Sequence, residues 1–217
     1  MISIENLIVN KHNNKILDIK KIDLGNERFV GIWGENGAGK STLVKCILGI
    51  EDYKGKIELK FNNSNAQVIM QNNRYPAYAK VKDIILLILD IKTLEPVHEF
   101  IKYIDFEKCL EKDVDVLSVG EYQKLNLVLA LNLNPTLLIV DEVTTGLDYL
   151  TRKKIIEYLK NYLNKNDCRF LIISHYQEEL EQLTNKTIVL ENGKLLGLCD
   201  SNKIEEYIGG NMDETIK

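Results

Sequence analysis

Apolar and polar positions alternate with period two in "ISIENLIV" near the start of the chain and again in "GKIELKF" from Gly55, the pattern of strands with one buried face. Four further runs, "RFVGIWG", "AQVIMQ", "LLIVDE" and "FLIIS", are rich in β-branched residues and read as strands. Residues 137–140 and 171–173 are continuously apolar, which predicts central parallel strands buried on both faces. Helical spacing takes over between them. Residues 40–50 follow a glycine-rich turn. Residues 122–134 place Leu125, Val128, Leu129 and Leu133 along one side and stop before Pro135, and residues 150–164 space Ile155, Ile156, Leu159, Tyr162 and Leu163 by helical turns. Alternating strand and helix predict an α/β fold with crossover connections.

Two regions depart from that alternation. The first sixty or so residues are strand-rich apart from the helix at Lys40, and residues 75–121 are helical in character with no clear strand. A small helical lobe of about 75–121 inserted in an α/β core accounts for both. Near the end, Asn192-Gly193 between "KTIVLE" and "KLLGLC" predicts a tight hairpin.

Length and composition narrow the class. A chain of 217 residues, 45% hydrophobic and 28% charged, has the material for one domain with an ample core. Its net charge of -4 argues against nucleic acid as a partner, since that binding depends on Lys and Arg neutralising phosphates. The opening "MISIENLIVN" has an early acid and no basic stretch ahead of an apolar core, so it does not read as a signal peptide and a cytoplasmic location is expected. The most apolar run, "IILLILDI", is far shorter than the roughly 20 residues of a membrane helix. Cys46, Cys109, Cys168 and Cys199 are widely separated and predict packed, reduced thiols rather than a metal or redox centre.

The chemistry concentrates in "GENGAGKST", Gly34, Glu35, Asn36, Gly37, Ala38, Gly39, Lys40, Ser41 and Thr42, which has the G-x-x-x-x-G-K-[ST] form between an apolar strand and a helix. Glycines let the backbone close around phosphates, and the amides of the following helix start point at the anion. Lys40 is then placed to reach the β and γ phosphates of a nucleotide, and the Ser41 hydroxyl suits Mg²⁺. "LLIVDE" supplies carboxylates at the end of a buried strand: Asp141 is expected to hold Mg²⁺ and Glu142 to act as general base on an attacking water. "LSVGEYQKL" contains Ser118 and Glu121 at capping-box spacing, a helix start in its own right.

These motifs, with three more, resemble the ATP-binding cassette family. Gln71 at the end of "AQVIMQ" matches its Q-loop glutamine, "LSVGE" with Ser118 and Gly120 its signature, "TGLD" with Asp148 its D-loop, and His175 after "FLIIS" its switch histidine. The resemblance spans nearly the whole chain. It implies a P-loop NTPase core of cassette type, ATP and Mg²⁺ as ligands, and ATP hydrolysis. It further implies a dimer, homo- or heterodimeric, in which the signature of one cassette closes on the γ-phosphate held by the other. Under it, Gln71 contacts Mg²⁺ or the attacking water, His175 hydrogen-bonds the γ-phosphate and orients Glu142, and Asp148 stabilises the dimer face as well as capping a helix.

The sequence departs from the family's pattern at Val119, Glu121, Val143 and Tyr149, where a second glycine, often a glutamine, and prolines are usual. The aromatic residue that stacks on adenine is also missing, and His12 is the residue expected to replace it. The resemblance implies a separate transmembrane permease as partner, with the cassette peripheral on the inner face of the membrane. Residues 72–89, with Tyr75 and Tyr78, are the expected docking surface, although 84–89 also reads as lobe core. "ENGAGKST" and "LSVGEYQKL" lean towards export of a drug, peptide or other small substrate. The alternative is a soluble cassette ATPase serving a non-transport machine such as iron-sulfur assembly.

Overall fold

The computed structural model describes residues 2–11, 14–61, 64–70, 75–142 and 144–208. The chain groups into two compact units, residues 1–63 with 170–217, and residues 64–169. In the first, β1 (Ile2–Lys11) pairs antiparallel with β2 (Asn14–Asp23). β3 (Phe29–Trp33) leads into α1 (Lys40–Ile47), and β4 (Lys54–Leu59) then lies on the other side of β1, giving the order β2-β1-β4. The predicted alternation is present in β1, with one slip. Ile2 and Ile4 face inward, then Leu7 and Val9. The phase changes at Asn6, whose φ is 50°, where the register against β4 also shifts. One inserted residue exchanges the two faces of a strand, and the bulge keeps both halves of β1 on the core.

The second unit begins with β5 (Ala66–Ile69), followed by α2 (Val81–Leu89), α3 (Glu95–Tyr103), α4 (Val119–Asn132), β6 (Leu137–Asp141) and α5 (Tyr149–Lys165). β5 and β6 run parallel, with Ile69 opposite Val140. Within residues 75–121 the α-helical segments ahead of α4 are 81–89 and 95–103, and α2 and α3 are joined to α4 through short 3-10 turns at 107–109 and 114–116. The helix expected over 122–134 starts earlier, at Val119, and ends at Asn132, with Asn134 in the left-handed region ahead of Pro135. It is also buried more widely than a one-sided helix, since Leu127, Ala130 and Leu131 are covered along with Leu125, Val128 and Leu129. α4 contacts β5, α2 and α3, so it has little solvent face. In α5, Ile155, Ile156, Leu159 and Leu163 are buried as the spacing predicts, while the half-buried Tyr162 donates its hydroxyl to Leu131 O at 3.1 Å.

The chain returns to the first unit with β7 (Arg169–Ile173), α6 (Gln177–Leu183), β8 (Lys186–Glu191), β9 (Lys194–Asp200) and the short α7 (Glu205–Ile208). β3 lies between β7 and β8 and is parallel to both. Residues 171–173 are buried, the two-sided burial their continuous apolar character predicts, and Val30, Ile32 and Phe170 are buried with them. β8 and β9 form the expected hairpin around Asn192 and Gly193, at φ 47° and 78°. All four cysteines are buried and none forms a disulfide, and burial pushes the Cys46 and Cys109 thiols up to about 11. They are packed thiols, as read from the sequence, and Cys109 also donates a hydrogen bond to Glu121.

Candidate functional site

In the first unit β3 ends at Trp33, and residues 34–39 carry the chain to the start of α1. Gly39 is the residue before that helix, with φ 96°, and a Cβ there would come within 2.5 Å of Leu17 Cδ2. Both conformation and space therefore require glycine. Its carbonyl accepts from Leu43 N at 2.8 Å, which closes the first helical turn. Lys40 is only 7% exposed, and its Nζ donates to the carbonyls of Gly34 at 2.7 Å and Glu35 at 3.0 Å. The ammonium is thus drawn over the loop. Glu35, Asn36, Gly37 and Ser41 are exposed, and Thr42 is half-buried. A cation over a glycine-rich loop, at the positive end of a helix, forms a cradle for an anion.

The hairpin tip braces this loop. Gly193 N donates to Ala38 O at 3.2 Å, while Gly193 O accepts from Asp18 N at 2.8 Å, so one glycine links the loop to β2. β7 runs beside β3 with Ile173 opposite Ile32, so Gly34 and His175 both follow the carboxyl ends of adjacent parallel strands. That is the edge at which such sheets bind ligands. His175 is exposed, between residues held firmly in place. The Ser174 hydroxyl donates to the buried Glu179 Oε2 at 2.6 Å and accepts from Tyr176 N at 2.9 Å.

The second unit carries the acidic residues and the capping motif. Asp141 is the last residue of β6, and Glu142 follows with φ 54°. A glutamate in the left-handed region costs on the order of 1–3 kcal/mol, a strain found most often where backbone geometry serves function. Ser118 caps α4 in a complete capping box: Ser118 Oγ accepts from Glu121 N at 3.2 Å, and Glu121 Oε2 accepts from Ser118 N at 2.9 Å. Because the Ser118 oxygen accepts inside the box, its own O–H is left to donate outward. The Val119 and Gly120 amides, first in the helix, have no intrahelical acceptor. Gly120 lies against Gly146, whose carbonyl would be 2.8 Å from an added Cβ.

Asp148 caps α5, with Oδ1 accepting from Thr151 N at 3.0 Å, and hydrogen bonds from Thr151 hold its carboxyl below the usual range. It is therefore the helix cap that its position predicts.

The nine residues 34–42 and His175 lie in the first unit, and Ser118, Gly120, Asp141, Glu142 and Asp148 in the second. His12, Gln71 and Val143 lie outside the described residues. The expected exposed pair Tyr75 and Tyr78 is divided. Tyr78 is 88% exposed, whereas Tyr75 is half-buried, donates its hydroxyl to Asn126 Oδ1 at 2.7 Å and lies against the Tyr122 ring. A neighbouring helix offers Tyr75 an acceptor, which the local sequence does not reveal. Sequence reasoning also missed Lys112, Cys109, Glu179 and Gly193 as supports of the motifs. Only the Asn-Gly pair left a sequence signal, since the other three act across distances that no local pattern encodes.

Comparison with known proteins gives a concordant result. The family description "ABC transporter" matches residues 17–145. A methionine import ATP-binding protein, MetN, of Clostridioides difficile is 30% identical, covering 94% of this chain and 70% of that protein. A high-affinity zinc uptake ATP-binding protein, ZnuC, of Bacillus subtilis is 27% identical over 89% of this chain and 92% of its own length. An energy-coupling factor transporter ATP-binding protein, EcfA1, of Mycoplasmopsis pulmonis is 31% identical over 90% and 81%. Among solved structures, an ATP-binding subunit of an ABC transporter superposes with a TM-score of 0.77 at 22% identity, covering 96% of this chain and 93% of the other. An ATP-bound bacterial Atm1-family exporter does so with 0.80 at 19% identity, over 96% of this chain and 40% of the other. The glycine-rich loop with its lysine, the capped signature helix and the matched span of 129 residues lead to one conclusion: this chain has the ABC ATPase fold and belongs to the ABC transporter family, as an ATP-binding subunit with ATPase activity that works with a membrane permease.

Proposed function

We propose that this chain binds ATP with Mg²⁺ on residues 34–42 and works as one cassette of a dimer whose hydrolysis of ATP drives a separate transmembrane permease. The observation that supports this most directly is the Lys40 ammonium drawn over the glycine-rich loop at the start of α1. Lys40 and the loop amides take the β and γ phosphates. Glu142 accepts a proton from the attacking water, His175 hydrogen-bonds the γ-phosphate and orients Glu142, and Gln71 contacts Mg²⁺ or the attacking water. Ser118 and Gly120 present a hydroxyl and a helix start to the γ-phosphate of the partner cassette, and Asp148 stabilises the dimer face. His12 stacks on adenine. His12→Ala should weaken nucleotide affinity several-fold, and an unchanged affinity removes that role.

The Ser41 hydroxyl and the Asp141 carboxylate are hard oxygen donors of the kind Mg²⁺ takes, and with Gln71 they are the residues that would hold it. When bound, the ion neutralises charge on the phosphate oxygens. In domain terms we read residues 1–217 as a single nucleotide-binding domain with a helical lobe at about 75–121. The lobe's exposed apolar residues, Tyr78, Leu87 and Ile88, are the surface we assign to the permease. The protein then sits peripherally on the cytoplasmic face of the membrane, and its net charge of -4 favours no nucleic-acid partner.

The motif text leans towards export of a drug, peptide or other small substrate. The names of the relatives support the opposite direction, since MetN and ZnuC are import and uptake proteins. Import is therefore the first reading and export the second. The test is to isolate tagged Glu142→Gln protein with ATP from detergent-solubilised native cells. The variant should retain ATP, hydrolyse it slower by about two orders of magnitude or more, accumulate as a dimer, and bring down a multi-span membrane protein. Soluble partners alone would move the assignment to a non-transport machine such as iron-sulfur assembly, and rapid turnover would remove Glu142 from its role.

A further inference from the structure

The signature helix of this chain carries an acid in its first turn, at a place meant for a phosphate. Glu121 is the third residue of α4, one turn from the Ser118 hydroxyl and the Val119 and Gly120 amides. A carboxylate favours the positive end of an empty helix, but it repels an incoming polyanion. The structure supplies a countercharge. Lys112 Nζ lies 2.6 Å from Glu121 Oε1, and the Cys109 thiol donates to the same oxygen at 3.1 Å, while Oε2 is taken by the Ser118 amide.

The lysine is held for this contact. Its backbone N–H donates to Cys109 O at 3.0 Å, and its carbonyl accepts from Val81 N, at the start of α2, also at 3.0 Å. The main chain at Lys112 is thus fixed between the end of the 3-10 turn at 107–109 and the start of α2, and its side chain is 39% exposed against 27% for Glu121. As a surface ion pair it contributes little to stability. Its electrostatic effect on a nearby anion is a separate matter, because the pair is neutral and the lone carboxylate is not. A glutamate is ionised at neutral pH in any case, and the three donors hold this carboxyl down at about 2, so its charge is answered by a partner rather than by protonation.

We propose that Lys112 is a positioning residue of the ATPase: by neutralising Glu121 it makes an acidic signature helix compatible with the γ-phosphate of the partner cassette's ATP. The proposal rests on the reading of Ser118 and Gly120 as a phosphate-facing signature. It accounts for a glutamate where the family often has an uncharged glutamine, and for a lysine nine residues upstream that no motif contains.

The experiment is a double-mutant cycle on the full chain. Lys112→Met, Glu121→Gln and the double variant are measured for kcat/KM of ATP hydrolysis with MgCl₂. In a Glu142→Gln background the same three changes are measured for the ATP concentration giving half-maximal dimer in sedimentation. Lys112→Met should lower kcat/KM about tenfold and raise the dimerisation midpoint by a similar factor, and Lys112→Arg should preserve both. In the Glu121→Gln background the loss of Lys112 should be silent. Glutamine keeps an acceptor oxygen for Lys112 but carries no charge, so a purely structural clamp would still be missed there. Equal losses in both backgrounds, or no loss in the first, overturn the proposal. Val119→Asp, at a 63% exposed position of the same helix start, tests the underlying reading separately in the same assays: it should abolish ATP-driven dimerisation, and full retention would show that the signature does not face phosphate, overturning both together.

Discussion

Three donors converge on the Glu121 carboxylate, from Lys112, the Ser118 amide and the Cys109 thiol, and they hold its carboxyl near 2. In an unfolded chain the same group titrates near the ordinary glutamate value of about 4.3. The folded value is the lower one, so the stabilisation is complete above the unfolded pKa and is lost as pH falls from there towards 2. Glu121→Gln removes this dependence. The stability difference between the wild type and that variant, from urea unfolding at pH 6 and pH 3, should shrink at the lower pH by about 1 kcal/mol, the discounted size for a partly exposed pair. A pH-independent difference would mean that the carboxylate is not held as described. Glu142 is the contrasting case at this scale: its positive φ of 54° is a strained backbone conformation, and it falls on the residue we propose for proton transfer.

Among the elements, the β8–β9 hairpin connects a local turn to the glycine-rich loop we propose for phosphate. Asn192-Gly193 adopts positive φ at both central positions, as the twist of a two-residue hairpin requires, and the same glycine hydrogen-bonds Ala38 and Asp18. A Cβ at Gly193 would run into the Ile16 carbonyl. Gly193→Ala should therefore cost about 1–2 kcal/mol of stability in chemical denaturation and raise the KM for ATP several-fold, because the brace under Ala38 shifts. Lower stability with an unchanged KM would confine the hairpin to a structural role. α4 serves two needs in a similar way: its capped start carries the signature residues, while its body is buried against β5, α2 and α3, so the end we propose for the partner's phosphate is built on a rigid element.

For the molecule as a whole, no helix among the described residues is long and apolar enough to cross a membrane, and the surface proposed above for the permease is where its partner is to be tested. Tyr78 and Leu87, 88% and 76% exposed, are large apolar side chains that solvent does not favour. Tyr78→Ala with Leu87→Ser should leave the Tm within about 2 °C, since exposed positions rarely shift stability, and should abolish capture of the membrane partner. Capture at wild-type levels would move the docking surface elsewhere. The sequence by itself determined the alternation of strand and helix, the burial of residues 137–140 and 171–173, the hairpin at Asn192-Gly193, the glycine-rich turn into the helix at Lys40 and the capping box at Ser118. Each of these is set by local periodicity or by backbone chemistry within a few residues. Only the tertiary structure decided that β1 changes phase at Asn6, that α4 is covered on several sides, that Tyr75 is half-buried with Asn126 as its acceptor, that Gly193 supports Ala38, and that Lys112 meets Glu121. Those are contacts between positions whose separation the folded chain closes, and a charge or a hydroxyl in a sequence carries no record of the partner that folding will bring to it.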